Sequence, residues 1–125
     1  MAGLSISQFA RASKKIVPNT PNMTGSSLQG ISRTQSFTWT PSSADWISIR
    51  MYHVNDFGYV DSDVICNVED TGSFTFGNLH QNWISGDVVY VQFTRVYETE
   101  TMLSYNNAES RIIGEYTVIG AGIAN

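Results

Sequence analysis

What this 125-residue chain has little of narrows its class first. It holds one cysteine, Cys66, so no disulfide can form within the chain, and its core must hold the fold unaided. Only two histidines occur, His53 and His80, in separate segments, and no Cys/His pairs have the short spacing of a structural zinc site. Charged residues make up 14%, against about a quarter in ordinary globular domains. The seven basic residues are too few and too scattered to follow a phosphate backbone, and the net charge of −4 repels one. Arg11, Lys14 and Lys15 are the one basic cluster, so a nucleic-acid partner is not expected. No run approaches the roughly 18 apolar residues of a membrane span, and none is expected. The first fifteen residues lack the apolar segment of a secretory signal, so none is expected there.

What is present alternates. In Asp45 to Val54, Ile47, Ile49 and Met51 share one face, and Trp46, Ser48, Arg50 and Tyr52 the other. Gly86 to Glu98 sets Val89, Val91 and Phe93 against Tyr90, Gln92 and Thr94. Ser110 to Gly122 reads as a third long strand, rich in β-branched and aromatic residues. Shorter strands read at Gln35 to Thr40, Asp63 to Val68 and Ser73 to Gly77. Turn signals punctuate them at Pro41, Asn55 to Gly58, Glu69 to Gly72, Ser85 to Asp87 and Asn106-Asn107. Asn78 to Gly86 has room for one turn of helix. Residues 1–34 read as an irregular stretch holding a first edge strand in two pieces, Leu4 to Ala12 and Ser27 to Ser32. Pro18 and Pro21 interrupt it. Residues 35–125 read as the main body of a single domain.

About seven short strands with such punctuation predict an all-β, two-sheet antiparallel sandwich. Residues Phe37 to Tyr97 carry a resemblance. Trp39-Thr40-Pro41, then Cys66, Asp70, Gly72, Ser73, Phe74 and Thr75, then Gly86-Asp87 through Arg95, resemble immunoglobulin-like or fibronectin type III-like domains of bacterial secreted and surface proteins. The resemblance implies an immunoglobulin-like sandwich with Trp39 and Cys66 inside. It also implies a non-catalytic structural, adhesive or binding module, extracellular or at a cell surface. The expected core is Trp39, Ile47, Ile49, Cys66, Val68, Phe74, Val89, Val91 and Phe93. Asp70 is expected to accept backbone N–H groups, and Gly72 to take positive φ at the turn between two strands.

The residues that could carry chemistry read as structural. Asp56, Asp61 and Asp63 lack the spacing of a calcium loop and read as a solvated turn. Cys66 with His80 has no basic setting that would activate a thiol. Glu69, Asp70, Glu98 and Glu100 are the acids from which a glycosidase pair would be drawn, yet any acidic surface supplies such pairs. Asp70-Thr71-Gly72 occurs once, whereas an aspartic protease needs two such aspartates. No cofactor, metal or enzymatic activity is expected. The expected contact face is Trp46, Arg50, Tyr52, Tyr90, Gln92 and Thr94, whose rings, amide and guanidinium suit a protein partner or a sugar ring. Asn22 opens a glycosylation sequon. Two other readings compete: a self-assembling filament or virion decoration subunit that pairs through an edge strand, and a carbohydrate-binding module. Pro18, Pro21, Lys14 and Lys15 read as blunting that edge, which favours a monomeric module.

Overall fold

The computed structural model describes residues 18–22, 29–102 and 109–125. Its strands are β1 (Gln29–Ile31), β2 (Ser36–Thr38), β3 (Trp46–Val54), β4 (Val60–Val68), β5 (Ser73–Thr75), β6 (Val88–Met102) and β7 (Glu109–Ala124). The chain is all-β, but it is not an immunoglobulin-like antiparallel sandwich. Five strands form one mixed sheet in the order β1-β7-β6-β3-β4, curled into a half-barrel, and β2 with β5 forms a separate two-stranded ribbon. Alternation decides which face a side chain takes, and it is silent on which strand lies alongside. All the long strands joined one sheet, and two of the three three-residue strands, β2 and β5, form the second layer.

The sheet is antiparallel except at β1, which runs parallel to the end of β7, with Gly30 opposite Ile123. That pairing needs close approach. A Cβ at Gly122 would stand 2.5 Å from Ile31 Cγ1 and 2.7 Å from Gln29 O, so glycine lets the backbones meet. The edge placement expected of Ser27 to Ser32 holds for β1. Pro18 and Pro21 precede β1 and are buried, and Thr20 between them bridges Thr38 of β2. Leu4 to Ala12 lies outside the described residues. The segment from Thr99 continues β6 to Met102, and β7 begins at Glu109, so the two strands form a long hairpin. Asn78 to Gly86 makes bends and turns instead of a helical turn.

The core lies between the inner face of the sheet and the ribbon. Ile47, Ile49 and Met51 of β3 and Val89, Val91 and Phe93 of β6 are at most 1% exposed, in the parity expected of them. The ribbon supplies Phe37, followed by Trp39 and Phe76, all buried. Phe93 is the meeting point, with ring centroids 6.1 Å from Phe37 and 5.2 Å from Trp39. Cys66, Val68 and Phe74 are only half-buried against this core. For Cys66 and Val68 the reason is that β4 is an edge strand, and Phe74 sits on the small ribbon. Burial still pushes the Cys66 thiol pKa upward, which keeps it a thiol and a poor nucleophile.

Core position decides the cost of truncation. Phe93→Ala is expected to lose about 3–5 kcal/mol and Cys66→Ala about 1 kcal/mol, read by urea unfolding. Equal losses would show that the ring cluster is not the centre of the core.

Candidate functional site

Even-numbered residues of β3 and β6 point away from the ribbon, and the register lines them up in rows. Arg50 stands opposite Gln92 on one side and Ile65 on the other, and Gln92 opposite Ile119. The next row runs Asp63, Tyr52, Tyr90 and Ala121. Trp46, Arg50, Tyr52, Tyr90, Gln92 and Thr94 are thus brought onto one sheet face, as the alternation predicts. Tyr52 and Tyr90 stack at 5.1 Å and 15°, and the Arg50 guanidinium lies 4.3 Å from the Tyr52 ring centre. Arg50 also donates to both oxygens of Asp63, at 2.8 and 2.7 Å. That bidentate pair holds the Asp63 carboxyl below the usual range and raises the Arg50 pKa. With both side chains about one-third exposed, solvent screens the pair, so it orients Arg50 more than it stabilises the fold.

Two features of this face escaped sequence reasoning. Ile65 and Ile119 flank it, 60% and 59% exposed. The alternation of their own strands carried that signal, but the row only assembles once strand order is known. Thr94, by contrast, is 8% exposed and shares a 3.0 Å hydrogen bond with Thr117, so it serves as a cross-strand pair and offers no contact surface.

Polar clusters occupy two ends of the inner face. At one, the Asp70 side chain, 2% exposed, accepts hydrogen bonds from Trp39 Nε1 at 2.7 Å and from the backbone N–H groups of Ser42 and Ala44 at 2.9 Å. Arg95 Nε lies 4.0 Å away, and its Nη2 donates to Thr40 O. Burial alone would push the Asp70 pKa up; the donors from Ala44, Ser42 and Trp39, with the Arg95 charge, outweigh it and hold the pKa low. Gly72 adopts φ 100°, where a Cβ would press on Trp39 O at 3.2 Å, while Trp39 N donates to Gly72 O. The Asp-Thr-Gly triplet is therefore the turn that carries the chain from sheet to ribbon. Its carboxylate is consumed by the loop after β2, so Asp70 is withdrawn from any pair with Glu69 or Glu98. The Glu100 side chain lies outside the described residues.

At the other end, a bulge shifts the register between His53 and Val54, leaving Asp61 as the extra residue between Val60 and Ser62. The bulge turns Asp61 toward the inner face, where its Oδ1 lies 2.5 Å from His53 Nδ1. His53 Nε2 lies 3.0 Å from Asp87 Oδ2, with no hydrogen bond formed between them. Asp87 is 5% exposed; burial and the neighbouring Asp56 push its pKa up, opposed by His53. Ser62 Oγ pairs with His80 Nδ1 at 2.7 Å, so His80 is engaged by serine and not by Cys66, four residues further along β4. Asp56 and Asp61 belong to this cluster, whereas Asp63 faces the other way toward Arg50. Among the described residues, no three His, Cys, Asp or Glu side chains are placed to hold a metal ion. Sequence reasoning missed this cluster because the bulge that assembles it leaves no mark in the alternation.

No family model matches the chain, and no curated protein and no solved structure matches it. The likeness over Phe37 to Tyr97 therefore rests on the residues alone, and the sandwich it implied gives way to the mixed sheet.

Asp70 gives a signed pH prediction. Its folded pKa is depressed, so its contribution is present above the ordinary aspartate value and is lost as pH falls through the folded one. Asp70→Asn turns an amide N–H₂ toward at least one donor and is expected to cost about 2–4 kcal/mol near neutrality. Urea unfolding from about pH 6 to pH 2 should give the variant the shallower acid dependence. Parallel curves would remove Asp70 as the acid-sensitive carboxylate.

Proposed function

We propose that the chain is a non-catalytic structural or binding module that works by contact with a protein partner through the outer face of its five-stranded sheet. The observation that carries this reading is the row Ile65, Arg50, Gln92 and Ile119: two exposed isoleucines bracket a polar centre beside the Tyr52–Tyr90 stack. Arg and Tyr, ordered by neighbours before a partner arrives, lose little side-chain freedom on binding. The sparse charge and abundance of Ser, Thr, Asn and Gly support a setting outside the cell, at a cell surface or on a virion. A sugar ligand is supported less, because the Tyr52 ring is already engaged by Tyr90 and Arg50.

A second reading, a self-assembling subunit, draws on the sheet edges. Among the described residues, β4 pairs on one side only, and β1 covers β7 only at Gly122 to Ala124. Such backbone edges can accept a strand from another chain.

Photo-crosslinking separates these readings. A photoreactive residue at position 65 or 119, introduced in the natural host, should give discrete protein adducts, while controls at Leu79 and Ile84 should not. Combining Ile65→Asp with the crosslinker at 119 should abolish the adduct with a stability change within about 0.5 kcal/mol. Adducts of equal yield at all four positions would contradict the face assignment. Concentration-dependent particles in light scattering, unaffected by Ile65→Asp, would favour the edge-paired subunit.

A further inference from the structure

Two histidines at the bulged end of the sheet lie in opposite surroundings. His53 is 0% exposed and has a carboxylate at each ring nitrogen, Asp61 at 2.5 Å and Asp87 at 3.0 Å. His80 is 1% exposed, and its Nδ1 meets only the Ser62 hydroxyl. Its Nε2 has no hydrogen-bond partner among the described residues. Its ring lies against Phe76 at 6.0 Å and Trp83 at 5.3 Å.

The charges around His80 do not welcome a second proton. From the loop after β1, Arg33 Nη2 donates to the His80 carbonyl at 2.6 Å, placing a guanidinium beside it. From β3 comes His53. From β4, Asp61 is taken by His53, and Asp63 sits on the far face in its pair with Arg50. Asp87 interacts with Asp56, His53 and Asp61. A charged His80 would be a buried cation near the Arg33 guanidinium, with no carboxylate of its own. Burial first, then His53 and Arg33, hold its pKa below the ordinary histidine value, and only Asp63 opposes them.

His80 lies in the 77–87 segment that joins the ribbon to β6. The segment is tied down by Ser62–His80, by Arg33 to the His80 carbonyl, and by Trp83 Nε1 donating to Asn125 O at 2.9 Å. Trp83 also stacks on His53 at 5.5 Å. Beyond these ties the segment exposes Leu79 and Ile84, at 56% and 57%, so little apolar burial holds its outer part.

We propose that His80 is an acid-sensitive latch, whose protonation frees the 77–83 segment from Ser62 and uncovers Phe76 and Trp83. The open form binds the proton more tightly than the closed form. Closure is therefore complete above the ordinary histidine range and is lost as pH falls through the depressed folded value. The apolar rings so uncovered lie on the opposite side of the sheet from Arg50 and Tyr52, which makes the latch independent of the outer contact face.

Hydrogen exchange on the full chain at about pH 7.5 and pH 5, with protection corrected for the intrinsic rate, tests the latch. The Phe76 amide, which donates to Gln35 O, and the Trp83 indole N–H, which donates to Asn125 O, should lose protection about tenfold or more at the lower pH, with β3 and β6 unchanged. His80→Asn keeps a polar group in reach of Ser62 but cannot titrate, and it should hold the same protection at both values. Histidine ring NMR of the unaltered protein gives a second readout, in which the His80 titration should coincide with the loss of protection. Unchanged protection at pH 5, a wild-type loss in His80→Asn, or a loss that follows the His53 titration would each overturn the proposal.

Discussion

The Phe93 ring, held between Phe37 and Trp39, is the contact on which the rest of the architecture depends. A curled sheet of five strands has one concave face to close, and only a three-residue ribbon is available to close it. Large rings let so small a ribbon exclude water from Ile47, Ile49, Val89 and Val91, because each aromatic buries more surface than an aliphatic side chain. Phe76 extends the cover, edge-on to Phe37 at 5.6 Å. The ribbon spans one face only, and that leaves the convex face, with Arg50, Tyr52 and Tyr90, turned outward.

Closing a sheet with a short ribbon leaves two ends at which the chain must cross from sheet to ribbon and back. Carboxylates seal both. Asp70 gathers the indole of Trp39 and two backbone donors, tying the β4–β5 turn to the loop before β3. At the bulged end, Asp61 and Asp87 close on His53, with Trp83 stacked across the ring. The ends differ in kind. Asp70 is surrounded by indole and backbone N–H donors, whereas the other end is built around two imidazoles. The proposed latch at His80 belongs to that second end.

Much of the local structure was legible in the chain. The alternation in Asp45 to Val54 and Gly86 to Glu98 placed Ile47, Val89 and Phe93 inward and Trp46, Arg50 and Tyr90 outward, as the structure has them. The turn at Asp70 to Gly72 was legible as well, since a carboxylate seeking N–H donors and a glycine with positive φ each have a local cause. Strand partnership was not legible. Period-two patterning is identical for a strand paired in one sheet and one paired in another, so β4 and β7 gave no sign that they share a sheet. Nor did His53, Asp61, Ser62 and His80 announce that they meet, because the extra residue at Asp61 reverses the parity on which such an expectation would rest.

The parallel pairing of β1 with the end of β7 distinguishes this mixed sheet from an antiparallel sandwich, and it makes the account most exposed to a single measurement. Nuclear Overhauser contacts across the Gly30–Ile123 step read it directly in solution. The cross-strand pattern of a parallel ladder is expected, with Gly30 near Ile123 and Ile31 near Ala124. An antiparallel pattern there, or no contact between β1 and β7, would contradict the mixed sheet and with it the arrangement of both faces.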